Sequence, residues 1–458
     1  MNPVILLVFA VGGLWVIQKI VGYRNALRAI NYFPGHRTVF DIRGMSSLLP
    51  RIPYITGGRN GGWKRKHDLF AKLDRDIISF AATFFVVADP GAIKEITASR
   101  QRFPKPVEMY KGLQFFGNNI VVSEAEEWKR YRKICGPSFS EPNNKLVWDE
   151  TVKIVHDLFD NVWGSRKEIV YEHALEVTMP DTLHTVSDGF IVKLLTPKWA
   201  VPYKKRFRQV IFAFEELERH MHEMIDSRRN AEKKEERYDL LSSLLDANDD
   251  PTDGQSKLTD QELLANIFIF LIAGHETTAH SLCFSFGLLA LYQDEQDRAY
   301  QEIQKALPGG RDPTMQDIPA LSFIEGIMNE TLRMYPPVVS VPKISAEDTT
   351  LSTTNSAGEK IVIPVPAGVT VNLHAVGLHY NPKYWTDPYK FSPERFLGDW
   401  PRDAFLPFSG GKYKITVKED PAFAGETFEQ KKERVLKAKG GLTLTPVRMP
   451  LVFTRRDW

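Results

Sequence analysis

Residues Thr259 to Leu288 read TDQELLANIFIFLIAGHETTAHSLCFSFGL. Thr259 followed three places later by Glu262 is a capping box, in which the hydroxyl and the carboxylate each satisfy an orphan N–H at a helix start. From Leu263 to Gly274 only Asn266 interrupts an apolar run. A polar cluster follows, His275, Glu276, Thr277 and Thr278, before apolar character returns through Leu282, Phe284, Phe286 and Leu288. A helix apolar on all sides belongs in the middle of a large core. Polar groups set into it are costly unless they are hydrogen-bonded or used. Two readings stay open here: a satisfied buried network around a glycine, or a working site.

Outward from this helix the chain is mostly helical in period. Residues 205 to 238 carry Lys, Arg, Glu and spaced apolar residues, which predicts a long amphipathic helix. The charge run from Arg228 to Arg237 reads as its solvated face. A loop is expected at Asn248, Asp249, Asp250 and Pro251 and past Gly254. Downstream, Glu330 and Arg333 are three apart on a helix that Pro336 and Pro337 stop, a spacing that places them on one face as an ion pair. Asn329-Glu330-Thr331 is a glycosylation sequon, but a helical site in a cytosolic body would not be modified.

Two motifs fail on geometry. His275 and His280 are five apart, so at about 100° per residue they diverge and cannot share a zinc ion as a zincin pair does. Gly410-Gly411-Lys412 lacks the Ser or Thr and the first Gly of a phosphate loop.

The composition narrows the classes. The 458 residues are 43% hydrophobic and 25% charged, with 59 Lys and Arg against 57 Asp and Glu. These are globular values, and the net charge of +2 gives no footprint for nucleic acid. Two cysteines, Cys135 and Cys283, exclude a disulfide scaffold and a multi-Cys metal site. Pro3 to Ile17 carries no charge, and apolar character resumes at Ile20 and Val21. That length is marginal for a spanning helix and sufficient if Lys19 snorkels. The following charges, Arg24, Arg28 and Arg37, precede any acid and place the body in the cytosol. The rival, a cleaved secretory signal, has no Lys or Arg in its n-region and bulky Trp15 and Ile17 where small residues mark cleavage. The expected layout is a transmembrane anchor at 1–23, a Pro- and Gly-rich linker at 24–62 and one domain at 63–458.

Four segments occur in order: Trp128-Lys129-Arg130-Tyr131-Arg132, Ala273-Gly274-His275-Glu276-Thr277-Thr278, Glu330-Thr331-Leu332-Arg333 and Phe391-Ser392-Pro393-Glu394-Arg395-Phe396. Together they resemble a membrane-anchored cytochrome P450 of the microsomal type. The resemblance implies a mainly α fold with small β-sheets (α+β) behind an N-terminal transmembrane helix. It implies a haem cofactor, a small apolar substrate and a separate NADPH-dependent reductase, at the endoplasmic reticulum membrane with the body facing the cytosol. Trp128 and Arg132 match the pattern that holds a haem propionate. Lys343 stands where the family commonly has a propionate-binding Arg, supplying charge without a bidentate fork. Ala273 and Gly274 match the point where the long helix crosses the distal face of the haem. Glu276 and Thr277 match the acid–alcohol pair that delivers protons. Glu330, Arg333 and Arg395 match a structural ion triad.

The match breaks at the iron ligand. The family's loop reads Phe-x-x-Gly-x-Arg-x-Cys-x-Gly. Phe408 and Gly411 begin it, but Tyr413, Ile415 and Val417 stand in the Arg, Cys and Gly slots. A strand-like alternation starts at once, and Leu442 to Thr445 resembles the family's C-terminal strands. The expected account is an internal deletion after Gly411 that includes the Cys loop and a helix. Neither Cys135 nor Cys283 is placed to substitute, and free buried Cys behaves as a small hydrophobe. Thiolate donation to iron favours O–O cleavage. The functional expectation is therefore a haem-thiolate monooxygenase impaired in this chain. The alternative is an inactive variant or a membrane-tethered ligand-binding protein that retains the architecture.

Overall fold

The structure is a computed structural model. It describes residues 3–38, 50, 52, 55, 61–80, 84–166, 168–171, 181–230, 239–249, 257–408 and 451–454. The chain divides into two compact units. The first takes in Met1–Pro106, Leu332–Phe391 and Asp399–Phe428, and the second Val107–Thr331, Ser392–Gly398 and Glu429–Trp458. The architecture is helix-rich with small sheets, as the sequence predicts.

The first unit opens with helix Pro3–Ala29, which continues six residues past the expected anchor boundary. Its core is a five-stranded mixed sheet. The spatial order is Gly35–His36, Ile77–Phe80, Phe84–Val87, Thr370–Leu373 and Val341–Ile344. The Ile77 and Phe84 strands are buried at every position, and continuous runs of Ile, Val and Phe suit a strand covered on both faces. They pair antiparallel with Ile77 opposite Val87, and Phe84 in turn runs parallel to Thr370. At Gly35 a side chain has no room, because a Cβ would lie 1.8 Å from the Ser79 carbonyl oxygen. Strands Thr349–Thr354 and Lys360–Val365 form a separate antiparallel pair.

A buried latch closes this unit's end. His379 is fully buried, accepts the Leu406 N–H at Nε2 (2.7 Å) and lies 3.0 Å from the Arg333 carbonyl at Nδ1. The first bond makes Nε2 the acceptor, so Nδ1 carries the proton and donates. Arg333 returns a bond from its guanidinium to the His379 carbonyl (2.8 Å), and Tyr380 donates to the Met334 carbonyl (2.8 Å). Burial first, and then the Arg333 charge, push the His379 imidazole down to about 3.

The second unit is built on helix Asp260–Leu291, 32 residues begun by the expected capping box. Among the described residues it is apolar and long enough to cross a bilayer, yet Leu263, Phe268 and Ile272 are buried in protein. They share one apolar core with Val210, Phe214 and Met221 of helix Lys205–Arg229. Leu244 and Leu245 of helix Leu240–Asp249 and Tyr131 and Cys135 of helix Ala125–Cys135 join the same core. Phe115, Phe190, Phe214 and Phe268 pack ring to ring within it. The predicted long helix ends at Arg229, and 231–238 lie outside the described residues. Where a loop is expected at Asn248 and Asp249, helix Leu240–Asp249 carries through both, and Asp250, Pro251 and Gly254 lie outside the described residues. Strand Leu451–Thr454 pairs antiparallel with Glu168–Tyr171. Gly411, Tyr413, Ile415, Val417 and Leu442 to Thr445 lie outside the described residues, as does the expected deletion point.

Candidate functional site

The polar cluster of the core helix divides into satisfied and open groups. Thr277 is buried and donates its hydroxyl to the Ala273 carbonyl (2.7 Å), while Thr278 donates to that of Gly274 (2.7 Å). Ser281 and Ser285 repeat the pattern onto Thr277 and Ser281, and Ser285 also donates to the Thr331 hydroxyl (3.1 Å). These i to i−4 bonds explain how a polar stripe survives inside an apolar helix. At Gly274 a Cβ would meet nothing within 4 Å among the described residues. Ala273 and Glu276 flank it, half-buried. The helix thus presents a bare ledge one turn from a buried hydroxyl. Gly274→Ala is expected to raise stability by about 0.5–1 kcal/mol, since it removes a helix-interior glycine without filling occupied space. A thermal melt checks this, and a fall in midpoint would show that the ledge is not empty in the folded protein.

Helix Ala125–Cys135 carries Trp128 and Arg132 one turn apart on one edge, Trp128 half-buried and Arg132 exposed. Arg132 pairs with no carboxylate among the described residues, which leaves an exposed cation on that edge. The opposite behaviour appears at Arg130 and Tyr131. Both bond to Glu262 of the core helix: Arg130 with both terminal nitrogens, and the fully buried Tyr131 by its hydroxyl (2.7 Å). Glu262 also takes the Thr259 amide (2.8 Å). Burial pushes the Glu262 carboxyl up, but the bonds from Arg130, Thr259 and Tyr131 together outweigh it and hold the group at about 2. The capping box was legible in the sequence; the tie to Arg130 and Tyr131, 132 and 131 positions away, was not.

Asn266, the one interruption of the apolar run, is fully buried and paired. It accepts the Ile120 amide (3.0 Å) and donates to the Glu262 carbonyl (2.8 Å). Lys343 lies in the first unit, half-buried in strand Val341–Ile344 opposite Val371. Of the expected triad, Glu330 and Arg395 are bonded within the second unit. Glu330, fully buried, accepts from Arg395 Nε (3.1 Å) and the Ser392 amide (3.0 Å) in the second, and Arg333 holds His379 in the first.

These residues test the fit of a haem. The bare Gly274 ledge and the Trp128–Arg132 edge suit the distal side and acid groups of a carboxylated macrocycle. The sulfur donors do not suit its iron. Cys135 is 1% exposed and its thiol is pushed up to about 12, by burial first with Arg132 opposing. Cys283, 2% exposed, stands in the core helix nine positions past Gly274. A buried neutral thiol is neither nucleophile nor ligand.

The comparisons agree with the order of the motifs. A family model described as Cytochrome P450 matches residues 176–413. Its match ends two residues past Gly411. The chain is 46% identical to Cytochrome P450 monooxygenase 124 of Postia placenta, with all of both chains aligned. That alignment has 523 positions for a chain of 458 residues, so the relative holds residues at several dozen positions where this chain has none. It is 29% identical to Cyclooctat-9-en-7-ol 5-monooxygenase of Streptomyces melanosporofaciens, over 81% of this chain and 86% of that protein. In fold it is similar to the crystal structure of the cytochrome P450DA heme domain, with a TM-score of 0.68 at 21% identity over 93% of this chain and 98% of that one. With full-length likeness at this identity and a family model that matches half the chain, the chain belongs to the cytochrome P450 family.

Proposed function

We propose that this chain descends from a haem-thiolate monooxygenase that inserts one oxygen atom into a small apolar substrate, and that as written it is impaired in that reaction. The bare ledge at Gly274 beside the buried Thr277 hydroxyl carries the first half of the reading. Glu276 and Thr277 are the proton-holding pair: Thr277 keeps its O–H on the Ala273 carbonyl and has a lone pair free to accept. Trp128 and Arg132 are the groups for the macrocycle's carboxylates in the second unit. A haem whose iron carries an anionic sulfur donor supplies the push that favours O–O cleavage. The chain's cysteines are buried thiols, and no step is derived through the missing donor.

The partners follow from the same reading: a separate NADPH-dependent reductase, and the endoplasmic reticulum membrane with the body facing the cytosol. Helix Pro3–Ala29 supports the anchor, since 27 residues span roughly 40 Å at 1.5 Å each. Leu14, Trp15 and Ile17 on it are exposed, and the Lys19 ammonium lies 5.7 Å from the Trp15 ring centre, as a snorkelling Lys would.

Full-length protein reconstituted with haemin and reduced under carbon monoxide is expected to lack the thiolate-type Soret shift. A chimera carrying the Postia relative's additional residues after Gly411 is expected to show it. The shift in the unaltered chain would defeat the impairment. A second reading, ligand binding without redox chemistry, draws on a cleft of about 300 Å³ where Phe115, Phe116, Phe214 and Leu264 line one part and Lys193, Glu215, Glu218, His222, Asp260 and Gln261 the rest. Saturable binding of a small apolar fluorophore without haem would favour it.

A further inference from the structure

Helix Ala125–Cys135 has an exposed edge at Arg132 and a buried face at Tyr131. The Tyr131 hydroxyl also lies 3.3 Å from Glu127 of its own helix, and Arg130 donates to the Lys257 carbonyl (2.8 Å), but the two share a further partner. They converge on one carboxylate, Glu262, which already caps the core helix. Helix packing alone lets two helices slide by fractions of a turn, whereas a two-nitrogen Arg–carboxylate contact with a third donor fixes both register and rotation. Glu262 lies 12 positions before Gly274, roughly 18 Å along the core helix. Its reach to the ledge is therefore through the two helices and not by contact.

We infer that Glu262 is a positioning residue that fixes helix Ala125–Cys135 on the core helix and thereby sets where the Trp128–Arg132 edge stands. The clause that this edge receives a macrocycle's carboxylates rests on the proposed function; the fixing of one helix on the other does not. The neighbouring ties share the load but do not replace it. Asn266 holds the Ile120 amide, before helix Ala125–Cys135 begins, and Asn118 holds Glu127 (2.9 Å) from the loop side. Glu262 alone joins the body of that helix to the core helix by charge among the described residues.

The variant that isolates this role is Glu262→Gln. Gln at the third helical position preserves the capping box, so the start of the core helix survives while the charged tie is lost. Nitroxide labels at Lys133→Cys and Leu291→Cys report the relation of the two helices in the full chain. Both positions are exposed, and the native cysteines are buried and unreactive. The parent is expected to give one narrow distance and Glu262→Gln a broadened distribution, with amide exchange at residues 260–266 unchanged. Tyr131→Phe, which removes one donor and keeps the packing, is expected to broaden it less, and carries the test if Glu262→Gln does not fold. Zinc protoporphyrin IX, followed by fluorescence, is expected to bind the Glu262→Gln protein roughly tenfold more weakly than the parent, the worth of one charge-assisted contact. A narrow parent-like distance in both variants would overturn the inference. So would broadening accompanied by fast exchange at 260–266, which would assign the effect to the cap. A parent that binds no porphyrin would defeat the reading of Trp128 and Arg132 and leave the distance measurement to decide Glu262.

Discussion

Glu330→Ala is expected to cost about 3–5 kcal/mol, the usual price of leaving one partner of a buried pair behind. The carboxylate is fully buried, and one of its oxygens accepts both Arg395 Nε and the Ser392 amide. Removing it takes the carboxylate away from a guanidinium that is 15% exposed and from a buried backbone N–H. Glu330→Gln keeps an acceptor oxygen and loses only the charge, so it should fall well short of the alanine loss. The Lys153–Glu150 pair is the control. Its partners are 70% and 51% exposed, and Glu150→Ala should change stability by less than about 0.5 kcal/mol, as surface pairs do. Urea unfolding followed by circular dichroism separates the three. Equal midpoints for Glu330→Ala and Glu150→Ala would refute the buried-pair account.

Acid should unfold the first unit at mild pH. Burial, with help from Arg65 and His67, pushes His374 down to about 4, and burial with Arg333 pushes His379 to about 3. A lowered folded value means that the stability is complete above the unfolded value near 6.5 and is lost as pH falls toward the folded one. At about 1.4 kcal/mol per unit for each group, the two imidazoles together remove roughly 6–7 kcal/mol between pH 6.5 and 4. Asp76 works against them. Burial raises its carboxyl to about 6, with Asn381 donating to it, so its contribution is present below its ordinary value and lost as pH rises through 6. It returns roughly 3 kcal/mol on acidification, leaving a net loss of about 3–4 kcal/mol. Asp76→Asn removes the opposing group and should steepen the acid loss, and His379→Gln should flatten it. A midpoint indifferent to pH between 6.5 and 4 would show that His379 does not keep its bonds to Leu406 and Arg333.

Local pattern carried much of this. The capping box from Thr259 to Glu262 is four residues long, and its geometry is the one the spacing demands. The apolar run after it could belong only to a helix buried all round, and Leu263, Phe268 and Ile272 are so buried. Glu330 was legible as a helix-face acid with Arg333 as its neighbour. The bond from Arg395, 65 positions on, and the Arg333 bond to the backbone of a helix 46 positions away were not legible. Asn266 read only as a flaw in an apolar stretch; its role needed the Ile120 amide, 146 positions back.

Residue order alone therefore settled the class of fold, the family and the lack of a cysteine after Gly411, because each depends on neighbours within a few turns or on a residue type that is present or absent. The folded chain decided which polar groups were spent on structure and which stayed open. Thr277, Ser281 and Ser285 bond carbonyls of their own helix, Gly274 faces empty space, and Glu262 answers two residues of another helix. Hydrogen bonds reach about 3 Å, and only folding brings positions so far apart in sequence within that range.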